Sequence, residues 1–294
     1  MDNSLLDECL TYLKEYDNEW IIRKRKITSE FIFKSLICSA LTNIGISSCL
    51  EGFQSNVSHS AVIKARRKID PNLFKTINTH IHSNIINNVY AIDGSKIRIH
   101  SGFKKYGFKS RTNDKPVDRA AKRPLAMLSS LYGVESQTTF NYTITKHFNE
   151  RKCVPKLISV LKKGNIVIMD RGYYSAKLFT HFYQTKIHAV FRLKKDANKT
   201  VKKLYKLRWG VETSYKRIKS YHNLNTIYAK TYRLWKQELQ LRILYDTLLI
   251  NVQTKTQIKK RKNIRRIAYG IINLRCFTYI LSIPLQFDVN LDFG

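Results

Sequence analysis

Tyr205, Arg208, Glu212 and Lys219 stand at steps of three, four and seven in Tyr205-Lys-Leu-Arg208-Trp-Gly-Val-Glu212-Thr-Ser-Tyr-Lys-Arg-Ile-Lys219. With about 3.6 residues per helical turn, the last three lie at about 300°, 340° and 320° from the first. A single helix over 199–221 therefore gathers all four on one narrow face. That face carries a phenol, a guanidinium, a carboxylate and an ammonium group. A carboxylate among cations suits a divalent ion, while a guanidinium fork and a lysine point charge suit phosphate. The set reads as one wall of a site for a polynucleotide, provided two further carboxylates converge on it.

Two such acids stand upstream. Asp93 lies within 89–99, where apolar and polar residues alternate as in a half-buried strand. Asp170 ends 166–170, a short apolar run that follows the turn Lys163-Gly164-Asn165. Glu135 is an alternative third acid, but it falls in the turn near Gly133 between expected strands 125–132 and 138–145. An Asp at the end of a strand is often no more than a turn or cap residue, and Glu212 alone can serve as a solvated partner of Lys216 at i+4. Joint placement is what separates chemistry from these plainer roles.

The elements that must position them follow from periodicity. Residues 1–88 read as helical, with apolar residues at helical spacing in 5–16, 31–44 and 74–86 and turns at 43–48 and Asp70-Pro71. Between them, 58–68 reads as a basic helix with Ser58 as its N-cap, suited to a groove or a row of phosphates but equally to a solvated surface. After the three strands come a helix over 153–161, the strand ending in Asp170, a helix over 175–183 capped by Ser175, a strand over 187–193, the helix 199–221 and a last helix over 233–252. A basic loop is expected over 101–124, which holds eight Lys or Arg against Asp114 and Asp118. Three strands, helix, strand, helix, strand, helix is the order of an α/β, RNase H-like mixed five-stranded sheet with flanking helices, here preceded by a small all-helical region. In that order the two central strands set Asp93 beside Asp170, and the helix bearing Glu212 crosses the sheet onto them. Two divalent ions about 3.5–4 Å apart can then activate an attacking oxygen and stabilise a leaving one at a phosphodiester.

Bulk properties agree with a polyanionic partner. The chain has 53 Lys and Arg against 21 Asp and Glu, a net charge of +32, and a hydrophobic fraction of 43% that suits a folded core rather than a disordered chain. The chain is also rich in Ile and Asn, so AT-rich coding is a plainer alternative source for part of the lysine excess, and an anionic membrane surface is a second, weaker candidate partner. The five cysteines are scattered and form no CxxC pair, which points away from a disulfide framework or structural zinc and towards a reducing compartment. The acidic start Met1-Asp-Asn-Ser-Leu-Leu-Asp-Glu8 does not read as a secretory signal, and no apolar run reaches the roughly 20 residues of a membrane span. The expected location is the cytoplasm or nucleus, wherever its polynucleotide partner is.

The pattern Tyr-(2)-Arg-(3)-Glu-(6)-Lys within Leu204-Tyr-Lys-Leu-Arg-Trp-Gly-Val-Glu-Thr213 resembles the third-acid motif of the insertion-sequence-four family of DDE, or cut-and-paste, transposases. Ala91-Ile-Asp93-Gly94-Ser95 is similar to the segment around that family's first acid, and Ile168-Met-Asp170-Arg171-Gly172-Tyr173-Tyr174 to that around its second. The likeness runs over roughly residues 50–255, with a weaker match at 58–74. It implies a DNA transposase that cleaves and joins strands at transposon ends. Asp93, Asp170 and Glu212 would hold two magnesium or manganese ions, and Tyr205, Arg208 and Lys219 would contact phosphates of the cleaved end. The implied partners are double-stranded DNA, both transposon ends and target, bound by a homodimer.

The resemblance departs at one place. Asp170 and Glu212 are only 42 positions apart, too few for the family's β-rich insertion, which handles the flipped base during hairpin formation. Three routes stay open: cutting by another chemistry, help from a partner, or a decayed or domesticated copy that binds DNA. An RNase H-like nuclease that hydrolyses without joining is the remaining enzymatic reading. The expected division is a helical DNA-binding region over 1–88, a catalytic domain lacking the insertion over 89–255, and a basic C-terminal segment over 256–294.

Overall fold

The computed structural model describes residues 5–20, 27–42, 44–52, 56–110, 123–192, 199–227 and 229–255. The central part of the expected basic loop, the 193–198 joint and the basic segment 256–294 lie outside them.

Five strands form one sheet: β1 (Val89–Arg98), β2 (Leu125–Gly133), β3 (Thr138–Thr145), β4 (Ile166–Met169) and β5 (His188–Phe191). Their order is β3-β2-β1-β4-β5, antiparallel through the first three and parallel for β1–β4 and β4–β5. The strands are rich in β-branched and aromatic residues, and alternate side chains enter two different cores. Ala91 and Ile97 pack on one face, Tyr90 and Ile92 on the other. Val167 and Met169 join the second face, which leaves Ile168 for the first. The β1–β4 register pairs Ala91 with Ile168. Two residues further along each chain, the same parity aims Asp93 and Asp170 to one side of the sheet, next to one another.

The β2–β3 connection is a turn over 134–137, so Gly133 ends the strand rather than making the turn, and Gln137 takes the left-handed conformation (φ 58°). Glu135 lies there and accepts hydrogen bonds from the amides of Asn88 (3.2 Å) and Val89 (3.1 Å), a structural use at the start of β1. The first part of the expected loop at 101–124 is instead ordered as a 3-10 turn over Ser101–Tyr106, because Phe103 is buried among Tyr232 and Trp235.

Among the described residues five helices precede the sheet: α1 (Leu5–Trp20), α2 (Ser29–Thr42), α3 (Ile46–Gly52), α4 (His59–Arg66) and α5 (Leu73–Ser83). On α1, Leu6, Cys9 and Leu13 form the buried stripe, and Asp17 at its end accepts from the amide of Ser29 with both oxygens (2.8 and 2.9 Å), capping α2. Ser58 caps α4, as its type suggests. These helices share one core with a much later element. After the short α6 (Val154–Ile158) and α7 (Ala176–Thr185), the chain forms α8 (Lys199–Lys206), α9 (Trp209–Tyr221) and α10 (Tyr232–Lys255). Leu241, Leu244, Leu248 and Leu249 of α10 pack with Leu13, Phe33, Leu36 and Phe74, while Trp235, Leu239 and Ile243 pack with the sheet. Arg66 at the end of α4 is buried and donates to Glu238 (2.8 Å) and to the Leu234 carbonyl (3.1 Å), so part of that basic end serves packing.

The sequence pattern suggests one helix over 199–221; the chain forms two. The amides of Leu207, Arg208, Gly210 and Val211 each bond the carbonyl three residues back (all 3.1 Å), so the helix tightens and turns between Lys206 and Trp209. Tyr205 thus sits on α8, and Glu212 and Lys219 on α9.

Candidate active site

Helix α9 is bound to the sheet by its apolar face and by Tyr215 and Lys219, and to α10 by Arg217 and the neighbouring His222. Val211, Tyr215 and Ile218 enter the core shared with Ala91, Leu128 and Tyr132. Gly210 lies so close to the Tyr132 ring that a Cβ there would stand 2.7 Å from it. The Tyr215 hydroxyl lies 2.7 Å from the Asp93 carbonyl and 3.1 Å from that of Leu128. Arg217 makes a two-pronged ion pair with buried Asp246 of α10 (2.5 and 2.6 Å), which His222 joins at 2.9 Å. Lys219 donates to Ser95 Oγ (2.6 Å) and to the Lys96 carbonyl (2.9 Å), both on β1. Burial lowers the pKa of this ammonium group, against the pull of Asp93. In the free protein Lys219 is thus engaged, half-buried, with the strand that carries Asp93.

The other polar residues form a connected chain. Asp170 follows β4 directly and accepts from the Arg171 amide (2.7 Å). Its Oδ1 also lies 3.3 Å from the Tyr205 hydroxyl, which in turn accepts from Arg208 Nε (3.1 Å). Arg208 pairs with Asp93 through Nη1 (3.4 Å) and with Glu212 through Nη2. Five of the six residues named for the site from sequence, Asp93, Asp170, Tyr205, Arg208 and Glu212, are therefore linked in one chain of contacts across the break between α8 and α9, Asp170 through Tyr205 and the other three directly to the guanidinium. Glu212 pairs with Arg208 four residues before it rather than with Lys216 four residues after it.

Burial pushes the Asp93 carboxyl up to about 6; the Gly94 amide and Arg208 pull it down, and Glu150 and Glu212 push it up again. Burial works against the charge on Arg208, but Asp93, Tyr205 and Glu212 outweigh it and hold the guanidinium firmly protonated. Burial also raises the Tyr205 phenol. A cleft of about 750 Å³ opens beside this cluster, lined by Asp93, Asp170, Glu150, His147, Gly172 and Tyr173 among others.

Glu150 is the acid that sequence reasoning missed. It begins the 3-10 turn Glu150–Cys153 after β3, and its Oε2 accepts from the Tyr173 hydroxyl. No motif marks it, yet it is the only Asp or Glu between Glu135 and Asp170 in a chain of strongly positive charge. That isolation was the available signal.

The donor set suits a hard divalent cation, since it offers carboxylate oxygens and no thiolate. Among the described residues no group of three or more His, Cys, Asp or Glu side chains is placed so that it could hold a metal ion. The guanidinium of Arg208 supplies the positive charge between Asp93 and Glu212.

Residues 86–245 match the family model described as the transposase DDE domain. The chain belongs to this family. Its domain is that of a DNA transposase, and the sheet is the expected RNase H-like one. Among solved structures, the chain is similar to the piggyBac transposase in a synaptic complex with hairpin DNA, with a TM-score of 0.50 and 12% identity over 96% of this chain and 80% of that one. Weaker likenesses, on which nothing rests, are to the Drosophila P element transposase strand transfer complex (TM-score 0.32, 12% identity, 92% and 70% covered) and a Mos1 transposase paired-end complex (0.25, 11%, 70% and 82%). No curated protein matches the chain. Among the described residues no helix is long and apolar enough to cross a membrane.

Proposed function

We propose that this transposase cleaves DNA at the ends of a mobile element and joins the freed strands to target DNA, with Asp93, Asp170 and Glu212 as its catalytic carboxylates. The observation that carries the reading is the β1–β4 register, which sets Asp93 beside Asp170 on the face that α9 crosses with Glu212. Within the family, the Tyr205-Arg208-Glu212-Lys219 spacing favours the insertion-sequence-four type.

Asp93, Asp170 and Glu212 would hold one or two magnesium or manganese ions. Bound there, such ions supply a Lewis acid for the phosphoryl oxygens and lower the pKa of an attacking water. The protein's own residues do the rest. Arg208 is a planar fork suited to a phosphate at the cleaved end, and Tyr205 orients that fork through its Nε contact. Lys219 secures the β1 backbone beside Asp93 and adds positive charge near the same phosphate. The paired β4 and β1 backbones keep Asp93 and Asp170 in a stable relative position. The exposed Lys64, Arg67 and Lys68 at the end of α4 support a DNA-binding role for the helical region 1–88, beside the catalytic region 89–255 and the basic segment 256–294. The expected assembly is a homodimer on paired double-stranded ends. Breakage without the usual β-rich insertion is part of the proposal, and the form of the cut end is read directly in the assay.

The test is strand cleavage of end-bearing duplex DNA in magnesium. The wild-type protein should nick and then transfer strands, and Asp170→Asn should do neither while still binding DNA. Equal cleavage by both proteins would refute the assignment. Cleavage without transfer would mark a nuclease, and salt-sensitive binding with no cleavage would mark a DNA-binding protein that has lost catalysis.

A further inference from the structure

We infer that the outer face of α7 is a stacking surface for an unpaired DNA strand, with Phe179 and Tyr183 against its bases and Lys177 and Lys186 against its phosphates. The inference rests on the DNA-transposase reading above and names the form in which this face takes its DNA, a single strand rather than the duplex.

Three observations point to it. The first is a set of rings that the core does not use. Helix α7 is seated by Leu178 and Phe182, which enter the core shared with Val167 and Met169. Phe179 and Tyr183 each follow one of these by a single residue, about 100° further round the helix, and stand 58% and 80% exposed. They are four residues apart, so their rings share one stripe about 6 Å apart along the axis. Tyr174, 62% exposed, precedes the helix and sets its ring edge-on to Phe191 of β5, 5.5 Å between centroids. Single exposed aromatics are ordinary, but three between positions 174 and 183, two of them neighbours on one stripe, form a patch. The second is charge. Residues 171–192 hold Arg171, Lys177, Lys186 and Arg192 and no Asp or Glu. All four are exposed, and among the described residues none of them forms an ion pair. Lys177 lies in the first turn of α7 and Lys186 just past the last, so cations bracket the rings. The third is place. Ser175 caps α7 five residues after Asp170, and the parallel register pairs Phe191 with Met169, the residue before Asp170. The Tyr174–Phe191 pair therefore stands at the Asp170 end of the sheet.

The cations decide the occupant. Exposed rings alone suit any apolar partner, but a basic face without an acid repels a second copy of a chain whose net charge is +32 and attracts a polyanion. Duplex DNA turns its phosphates outward and keeps its bases stacked on one another, so it would engage the lysines and leave the rings in water. An unpaired strand offers both groups at once: each base has a face for a ring, and the backbone follows the cations. On the proposed function, a cut beside Asp170 frees such a strand end at the head of this helix.

The experiment is fluorescence anisotropy of the full-length protein in EDTA with two labelled probes, an oligothymidylate strand and a blunt duplex of the same length. The double variant Phe179→Ala/Tyr183→Ala should lose about 10- to 100-fold in affinity for the strand, the usual worth of base–ring stacking, and less than about 2-fold for the duplex. Phe179→Leu/Tyr183→Leu, which keeps apolar cover without a ring, should show the same loss, and Tyr183→Phe none. Lys177→Gln/Lys186→Gln should weaken strand binding and flatten its salt dependence. Melting temperatures should match the wild type, since neither ring enters the core; if the alanine variant does not fold, the leucine variant decides. Strand affinity that survives loss of the rings overturns the inference, and so does an equal loss for strand and duplex. Sedimentation of the same proteins without DNA tests the other occupant: a wild-type oligomer that the alanine variant dissolves, with strand affinity unchanged, makes this face a contact between copies and overturns the inference. A wild type that binds the duplex but not the strand overturns this inference alone, and one that binds neither overturns the proposed function with it. Ring-dependent strand binding without cleavage supports the inference and refutes only the catalytic reading.

Discussion

Arg208→Gln should move metal binding and DNA cleavage in opposite directions. In the free protein the Arg208 side chain is 11% exposed and stands between Asp93 and Glu212, where the proposed function would put a cation shared by those acids. At an effective dielectric constant of about 20, unit charges separated by the 3.4 Å of the Arg208–Asp93 pair attract by about 5 kcal/mol. Desolvation of both groups returns most of this, and Glu212, 35% exposed, contributes a screened share. A charge-assisted hydrogen bond that survives such offsets is worth about 1.5–3 kcal/mol. A cation must displace that amount before it can bind, so removing the guanidinium should tighten manganese binding about 10- to 100-fold at about 1.4 kcal/mol per decade. Cleavage should nevertheless fall by about 100-fold or more, the usual effect of losing one charge-stabilising donor at a reacting group. Arg208→Lys separates the two effects, since it keeps the charge between the acids but loses the planar fork. It should bind manganese nearly as the wild type does and still cleave poorly. Titration calorimetry and a strand-cleavage assay in the same buffer make the comparison. Manganese affinity that is unchanged or weaker in Arg208→Gln would refute the claim that this guanidinium occupies the cation's place.

Two further outcomes concern stability. Asp93→Asn should raise the melting temperature of the metal-free protein at pH 7.5 by a few degrees. The folded-state pKa of Asp93 is raised to about 6 from 3.8, so the folded protein holds a proton that the unfolded chain releases between these values. Stability therefore falls as pH rises through that window, and the gain from Asn should shrink as the pH drops below about 6; a gain that persists undiminished at pH 4 contradicts the shift. Asp246→Ala should cost about 3–5 kcal/mol in urea unfolding, because it leaves Arg217 and His222 buried without their partner. The folded-state pKa of Asp246 is held down to about 2, where Arg217 and His222 outweigh burial. Its contribution is present above about pH 4 and is lost as pH falls towards 2, so mutant and wild type should converge there. A cost below about 1 kcal/mol at pH 7 would show that this triad does not anchor α9.

Much of the site was legible because it depends on short-range pattern. Alternation marks β1, and an apolar run ending in Asp marks β4. Once the two pair in parallel, the twofold period of strands places Asp93 and Asp170 on one face. What escaped depends on partners distant in sequence. Helical spacing gave the direction of Lys219 but not its occupant, which proved to be Ser95 and Lys96 on a strand more than a hundred residues earlier. The break at Leu207-Arg208 carries no proline and follows only from the local three-residue hydrogen bonds. The basic helix 58–68 gives no sign that one of its cations, Arg66, is buried against Glu238 of α10. Glu150 has no periodic or motif signature at all; the glycine it lies against, Gly94, reads equally well as part of a turn.

These long-range contacts also decide which part of the site can move. Helix α9 is held to β1 by Lys219 and Tyr215, to α10 by Arg217, and against Tyr132 by the absence of a side chain at Gly210. Displacing the helix as a body would break all of these at once. Asp93 and Asp170 are likewise set by a paired sheet. What can rearrange without breaking these contacts is the pair of long side chains Arg208 and Glu212, linked to Asp170 by the hydroxyl of Tyr205. On the proposed reading, a rotation of Arg208 away from Asp93 would free that carboxylate and Glu212 for a cation and the guanidinium for a phosphate. Metal and DNA end should accordingly bind with positive coupling, each favouring the rotamer the other needs. Manganese affinity measured with and without a bound end should differ in the wild type and not in Arg208→Gln, because without the guanidinium there is nothing left for the two ligands to share.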